Sequence, residues 1–525
     1  MDFWTMISQA IVQTFTLYNI FLIFIGLLIG MVIGCIPGLS VTLGIILMLP
    51  LTYTMDSPAS AIILMLAVYV GGMYGGSISA ITLNTPGTNS AIATTFDGYP
   101  LARKGKVKKA LDVSLFASTF GGIFSALLLL LCAQVITKLV ANFTTVEYFS
   151  LGVMGISLIA GVSGDNLAKG IISGMLGLFM CCIGIDTVTG VSRFSFGISY
   201  LKYGIDMLPA MIALIALTQV IDKLREFKIT GGKIKDATKI DNDGLTGKEA
   251  AKLLPACFRS SIIASFLGAM PGVGGGVAQF VCYNSVRRSS KHPEEFGKGA
   301  LEGIAAAESS NNAVVGSAMI PLLTLGIPGD GVTALLLGAF ILHGITPGPT
   351  MFTKQGVMAY TIIVGCLVAN LLLWPIGRVL TRAVAKIVQV RYTYLAPCII
   401  MFCFAGAFAA TGNYKELIIT AGVLVFSYIL TILDISNTPL LLGMILEKIM
   451  EKNFVSAAMS YDRDYTIFFR RPISLIILII TVVLVISMIR INKRVEKLNA
   501  EQEAKMAAEH AEMESDAPAE EPAAE

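Results

Sequence analysis

Two polar clusters interrupt long apolar runs in this chain, and their residue types suit holding a small anion better than breaking a bond. The first runs from Gly75-Gly76-Ser77 to Asn84-Thr85-Pro86-Gly87-Thr88-Asn89-Ser90. The second runs from Glu308-Ser309-Ser310-Asn311-Asn312 to Leu325-Gly326-Ile327-Pro328-Gly329-Asp330. In each Pro-Gly pair the proline removes a backbone donor and the glycine permits angles that end a helix. In hydrocarbon, the freed backbone groups are tolerated only where protein or a water-filled cavity satisfies them. A helix that restarts after such a break presents N–H groups worth about half a positive charge, which suits a carboxylate. Ser77, Thr88, Asn311 and Asn312 add side-chain donors. Asn84, Thr85, Gly87, Gly326 and Gly329 complete the expected substrate-binding set. No Lys or Arg lies inside either motif, so capture by helix ends is expected in place of an arginine clamp. The competing use of such Ser and Asn residues is hydrogen bonding across packed helices.

Acidic residues at membrane depth point to proton or ion linkage. Glu308 directly precedes the Ser-Ser-Asn-Asn run and is the first candidate for coupling to an ion. A carbonyl-rich break can also coordinate sodium, which adds Pro37, Gly38, Pro271 and Gly272 from two further Pro-Gly elements. Asp330 follows its break and is placed to cap the helix that starts there. Asp165, Asp186 and Asp434 read as span ends in water, and His343 as a loop or interface residue. Enzymatic chemistry has little to work with. Only three histidines occur in 525 residues, and neither a serine–histidine pair at membrane depth nor a His-Glu-x-x-His motif is present. Pro271-Gly272-Val273-Gly274-Gly275-Gly276 lacks the Lys-Ser/Thr of a phosphate loop, so this chain does not use ATP.

Composition sets the class. The chain is 55% hydrophobic and 14% charged, with a mean hydropathy of +0.76; soluble domains carry roughly 25% charged residues. This is the composition of a polytopic membrane protein. A net charge of +3 is too small to imply nucleic acid. The nine cysteines lie almost wholly in apolar runs and read as buried free thiols, with no zinc or disulfide spacing.

The elements that must position the clusters follow in order. The N-terminus lacks the positive region of a cleaved signal peptide. Thr16 to Gly34 is long enough to span. Gly34-Cys35-Ile36-Pro37-Gly38-Leu39-Ser40 breaks it, and Val41 to Leu51 is short enough to be re-entrant. Ala59 to Tyr74 leads into the first cluster, and Asp97-Gly98-Tyr99-Pro100 is a turn by composition. A basic loop with Arg103, Lys104, Lys106, Lys108 and Lys109 is expected to be cytoplasmic. Four apolar runs (111–140, 146–161, 167–184 and 205–221) end at a second basic stretch that contains Lys223 to Lys248, so both basic stretches fall on one side. Gly268-Ala269-Met270-Pro271-Gly272-Val273 then repeats the first Pro-Gly element, and Ile327-Pro328-Gly329-Asp330 repeats Thr85-Pro86-Gly87-Thr88, at a period of roughly 235–240 residues. Breaks in corresponding positions of two halves point to a transporter's binding site. Both an inverted and a parallel arrangement of the halves fit the sequence. Apolar runs at 357–376, 394–410, 417–433 and 473–489 follow. Met444 to Tyr461 looks amphipathic and interfacial, and the Glu/Ala-rich tail reads as solvated helix or disorder.

Several of these stretches resemble a known family. Tyr74-Gly75-Gly76-Ser77 through Leu83-Asn84-Thr85-Pro86-Gly87-Thr88 and Asp97-Gly98-Tyr99-Pro100-Leu101-Ala102 are similar to the large membrane subunit of tripartite tricarboxylate transporters, the TctA family. So are Pro293-Glu294-Glu295-Phe296-Gly297-Lys298-Gly299, the run from Glu308 to Ala313, Ile320 to Asp330, and His343-Gly344-Ile345-Thr346-Pro347-Gly348-Pro349. The resemblance covers about Leu17 to Ile489. The family pattern has a proline where this chain has Asn89 and another where it has Ala307, departures that bear on substrate identity. The resemblance implies a multi-pass secondary transporter of the bacterial inner membrane. It would take a small carboxylate from a periplasmic solute-binding protein, work with a small TctB-like membrane subunit, and use Na+ or H+ as coupling ion with no other cofactor.

The expected fold is an all-α polytopic integral membrane protein with about 10–14 transmembrane helices plus broken or re-entrant segments, in two repeated halves. Residues 1–221 form the N-terminal membrane repeat, 222–255 a polar cytoplasmic connector, 256–490 the C-terminal repeat and last spans, and 491–525 a polar acidic tail. The expected function is gradient-driven import of tricarboxylates such as citrate, or of dicarboxylates. Alternatives are a receptor-independent carboxylate carrier and, further off, a channel or an intramembrane enzyme.

Overall fold

A computed structural model of the chain describes residues 3–140, 143–162, 167–185, 190–230, 243–271, 274–387, 392–487 and 490. The acidic tail, Asp165, Asp186, Gly272 and the middle of the connector (231–242) lie outside the described residues. The first half contains α1 (Phe3–Thr14), α2 (Leu17–Cys35), α3 (Val41–Thr52), α4 (Pro58–Leu83), α5 (Ile92–Arg103), α6 (Val107–Val140), α7 (Thr145–Val162) and α8 (Leu167–Cys181). It closes with α9 (Met207–Met211), which runs through a π-helical turn (Ile212–Leu217) into α10 (Thr218–Thr230). The second half contains α11 (Gly247–Gly268), α12 (Gly274–Ser289), α13 (Leu301–Leu325), α14 (Gly331–Leu342), α15 (Pro349–Lys354) and α16 (Gly356–Ile387). Beyond these lie α17 (Tyr392–Thr411), α18 (Lys415–Ile432), α19 (Asn437–Ser460), α20 (Ile467–Arg470) and a last apolar helix, Pro472–Ser487. The one sheet among the described residues is a hairpin of β1 (Gly184–Ile185) and β2 (Ser192–Arg193). Seven described helices are long and apolar enough to cross a membrane by length and composition. The protein is all-α and polytopic.

Two helices form the centre. Every residue of α4 from Ala59 to Leu83 is buried, as are nearly all residues of α13 from Gly303 to Thr324. An apolar helix surrounded on all sides needs neighbours that approach closely, and glycine supplies the room. A Cβ on Gly26, Gly30 or Gly34 of α2 would strike the α4 backbone at Leu64, Val68 or Gly72 at 2.2–2.7 Å. These contacts climb both helices together, so α2 and α4 run parallel. The short α3 returns between them, with Val41 against Gly72 and Gly44 against Val68 and Ile33.

The same geometry recurs in the second half with its direction reversed. Gly268 of α11 packs on Val314 and Ser317 of α13. Gly87 sits on the Gly34 carbonyl and the Cα of Gly76, and Gly329 sits on the Gly268 carbonyl and the Cα of Ala318. Direction follows from the cross-contacts. α6 runs parallel to α13 (Gly121 on Ser309, Ser125 on Gly316), and α16 runs parallel to α4 (Ile63 on Gly365, Tyr74 on Thr381). α6 and α16 are antiparallel to each other (Gly122 on Asn370, Leu115 on Gly377). Hence α4 and α13 are antiparallel, and equivalent contacts in opposed directions are the geometry of an inverted repeat.

Ion pairs join the two basic stretches. Lys109 binds Glu249 at 3.0 Å and Asp243 at 3.3 Å, beside the Lys108–Asp112 pair at 2.8 Å. They therefore meet on one face of the bundle.

One local expectation changes. Asp97-Gly98-Tyr99-Pro100 is not a turn but the middle of α5. Pro100 gives up one helix bond there, while the Asp97 side chain is engaged elsewhere. Its Oδ1 accepts from the backbone N–H groups of Gly297, Gly299 and Ala300 at 2.8–2.9 Å, and its Oδ2 from the Tyr283 hydroxyl at 2.8 Å. Ala300 provides no side-chain cap for α13, so Asp97 caps that helix from the other half of the chain. The stretch from Met444 is the later part of α19: Leu446 and Met450 fill the space over Gly155 and Gly152 of α7, while Lys452, Phe454, Met459 and Ser460 are exposed.

Two substitutions test these contacts. A Cβ at position 87 would lie 1.9 Å from the Gly34 carbonyl oxygen, with backbone on both sides. Gly87→Ala is expected to destabilise the protein by about 3 kcal/mol, the upper end for overpacking. Gly422→Ala, inside α18 where nothing lies within 4 Å, should not destabilise in thermal unfolding in detergent and is expected to raise stability by up to about 1 kcal/mol through helix propensity. Removing the Asp97 cap with Asp97→Ala strands three backbone donors and should cost about 3 kcal/mol or more. Asp97→Asn keeps an acceptor and should recover most of that loss; equal melting of both variants and the wild type would count against the cap.

Candidate functional site

The first break and the polar run of α13 converge on one turn of α4, Met73 to Ser77, while the second break packs on Ala318 and Gly268 through Gly329. The Met73 carbonyl accepts from Asn311 Nδ2 at 3.0 Å, and its sulfur from Ser90 Oγ at 3.5 Å. The Gly76 carbonyl accepts from the Gly87 N–H at 3.1 Å, and a Cβ on Gly76 would strike Thr88. The chain after Leu83 therefore turns back along its own helix, up to the level of Met73, and descends again as α5. Asn84 makes the reversal in the left-handed conformation, φ 54°. Beyond the break, α12 approaches: Gly275 lies against Ser90, and the Gln279 side-chain oxygen accepts from the Ala93 N–H at 3.2 Å.

The two breaks differ in charge. At the first, neither Thr88 nor Ala91 places a side chain on the N–H groups that follow; the Ala93 N–H goes to the neutral Gln279 side chain, and apart from that acceptor the helix start is open. At the second, Asp330 forms a capping box with Thr333 (2.8 Å each way) and accepts from the Tyr69 hydroxyl at 2.6 Å. That helix start already carries a carboxylate. The second break is therefore the less suited of the two to an external anion.

The remaining predicted residues divide. Gly87, Ser77, Asn311, Asn312 and Glu308 are buried, and Ser77, Gly87 and Asn311 gather on the Met73–Ser77 turn. Both side-chain atoms of Asn312 and the Asn311 oxygen have no hydrogen-bond partner. Asn84 and Thr85 are exposed at the foot of the first break, and Thr88 is partly buried beside Ser90. Gly326 ends α13 in the left-handed conformation (φ 74°), and Gly329 packs on Ala318. Gly38 is also left-handed (φ 92°) under the stem of Lys223, next to Ser40, which donates to Gln219 at 2.6 Å; Pro37 is partly buried there. Pro271 is buried at the tip between α11 and α12. Asp434 pairs with Lys169 at 2.9 Å, and His343 meets Thr52 at 3.0 Å.

Glu308 is fully buried. Thr94 Oγ1 donates to its Oε1, and Ser118 Oγ to its Oε2 at 2.9 Å. Ser77 and Ser114 face the same carboxylate. Thr94, Ser114 and Ser118 did not stand out in the sequence, nor did Asp97 as a ligand of another helix. Ser114 and Ser118 are one helical turn apart inside a run that otherwise reads as a plain span, and that spacing was the available signal.

The model of the tripartite tricarboxylate transporter TctA family matches residues 20–442. An uncharacterized 52.8 kDa protein of the TAR-I ttuC' 3' region of Agrobacterium vitis is 34% identical over 476 residues, 90% of this chain and 94% of that protein. An uncharacterized protein of the TAR-II ttuC' 3' region of the same organism is 40% identical over 212 residues, 40% of this chain and 87% of that protein. No solved structure matches at a significant level. The matched segment holds both breaks, Glu308 and the central α4–α13 pair, so the chain belongs to the TctA family of tripartite tricarboxylate transporters, a family of transporter subunits and not of enzymes.

Proposed function

We propose that this chain is the carrier subunit of a bacterial inner-membrane importer, driven by a sodium or proton gradient. It takes tricarboxylates or dicarboxylates from a periplasmic solute-binding protein and works with a small membrane subunit. The observation that carries this reading is the meeting of the first break with Asn311 of the opposing half on one buried turn of α4. In inverted-repeat carriers, sites of this kind lie near the bilayer midplane, where broken helices aim their ends at substrate and ion.

The open helix start after Thr88 supplies backbone donors for a carboxylate, with Ser77, Asn84, Thr85, Gly87 and Thr88 around it. Asn311 and Asn312 add amide donors from the opposing half, and Gly326 and Gly329 shape the second break. Glu308, without an ion pair among the described residues, is the coupling group. The Pro37-Gly38 and Pro271-Gly272 breaks are further candidates to coordinate the ion through backbone carbonyls. A multi-domain assembly explains why no receptor-like fold is needed in this chain: the family is tripartite.

Uptake into proteoliposomes tests the proposal. The vesicles contain this chain and its small partner, with labelled citrate and a dicarboxylate panel, with and without receptor and imposed gradients. Saturable uptake that needs both receptor and gradient is expected. Gradient-driven uptake without receptor would identify a standalone carrier, and unsaturable, gradient-independent flux a channel. Asn311→Ala is expected to lower uptake at least roughly tenfold; because it also strands the Met73 carbonyl, at about 1–3 kcal/mol of stability, uptake is compared at equal amounts of folded protein.

A further inference from the structure

The environment of Glu308 carries more than a coupling role. Its carboxylate is buried at the junction of four helices, and no described Lys, Arg or His forms an ion pair with it. A lone carboxylate in such a place costs several kcal/mol. Four hydroxyls surround it: Thr94 from α5, Ser114 and Ser118 from α6, and Ser77 from α4. Two of them, Ser77 and Ser114, are fully buried and stand within reach of the carboxylate without a well-formed hydrogen bond, although a buried unpaired hydroxyl costs about 1–3 kcal/mol. An uncompensated negative charge and two unused oxygen lone-pair donors face the same point.

A cation at that point relieves both penalties. The donor set is all oxygen, which selects a hard ion. It holds one carboxylate and otherwise neutral groups, so a single positive charge leaves the site neutral, whereas a divalent ion would leave a buried excess charge. No group of three or more His, Cys, Asp or Glu residues able to hold a metal occurs among the described residues, which sets this site apart from a transition-metal centre. We infer that Glu308, Thr94, Ser118, Ser77 and Ser114 form a sodium site.

The placement of the ligands adds a consequence. Ser77 follows Gly76, whose carbonyl holds Gly87, and Thr94 lies in the first turn of α5. Two ligands thus bracket the first break, one on each arm. A bound cation draws both arms together and fixes the open helix start between them. The clamp of Asp97 on α13, one turn beyond Thr94, sets the register in which Thr94 reaches Glu308. This coupling to substrate rests on the transport reading above; the cation site does not.

Thermal unfolding of the full-length purified chain, titrated with sodium chloride against choline or potassium chloride at constant ionic strength, tests the site without transport. Sodium is expected to raise the wild-type melting temperature saturably, and choline and potassium are not. Glu308→Gln should abolish the rise. Ser77→Ala and Ser114→Ala remove hydroxyls that make no well-formed hydrogen bond, so both should melt like wild type without sodium. Each should need roughly tenfold more sodium for half the effect. Thr420→Val, which removes a buried hydroxyl bonded within its own helix, should leave the sodium response unchanged. An identical response in the two serine variants, or an equal rise with potassium, would overturn the assignment. A normal sodium response in a chain that moves no carboxylate would sink the transport reading and leave the site standing.

Discussion

The structure depends on the backbone-to-backbone approach of α2 and α4. Gly26, Gly30, Gly34, Gly71 and Gly75 let two helices touch where side chains would hold them apart. In a membrane this contact is driven by dispersion and packing rather than by expulsion of water. It also explains why α4 can be buried along its whole length: with α2 this close, α3, α6, α13 and α16 still find room around the same helix. The turn that carries Met73 and Ser77 is therefore fixed by packing, not by loops. Groups that converge on it inherit that precision.

Inversion of the second half gives the site its composition. Equivalent contacts place Gly87 and Gly329 alike, but the residues that follow differ. Thr88 leaves a helix start open, whereas Asp330 closes its counterpart with a carboxylate. The two halves are thus alike in backbone and opposed in charge. The antiparallel neighbour α13 brings the negative charge of Glu308 to Ser77 of α4 and Thr94 of α5, on the two arms of the first break. The four hydroxyls around that charge come from three helices, and none of them is close in sequence to Glu308.

Cross-links between the halves are polar and specific. Asp97 caps α13, Lys109 pairs with the start of α11, and Tyr69 donates to Asp330. Each ties an element of the first half to one of the second at a helix terminus. Helix termini are where unsatisfied backbone groups remain, so these contacts satisfy polar groups that the bundle would otherwise bury unpaired. They also mean that a displacement of α5 is felt at both Glu308 and the entry to α13.

The sequence by itself determined the membrane class, the all-α fold and the two Pro-Gly breaks, because apolar run length, charge depletion and proline act locally. It also singled out Glu308, because an acid inside an apolar run is conspicuous. It left direction open, since a parallel and an inverted repeat have the same residue pattern; only the contacts of Gly121, Asn370 and Thr381 decided between them. It read Asp97 as part of a turn, because turn propensity counts neighbours in the chain and the groups that hold this carboxylate lie about 200 residues away. Thr94, Ser114 and Ser118 were silent for the same reason. A hydroxyl inside a span has a partner only when another helix supplies one, and which helix does so is a property of the tertiary structure.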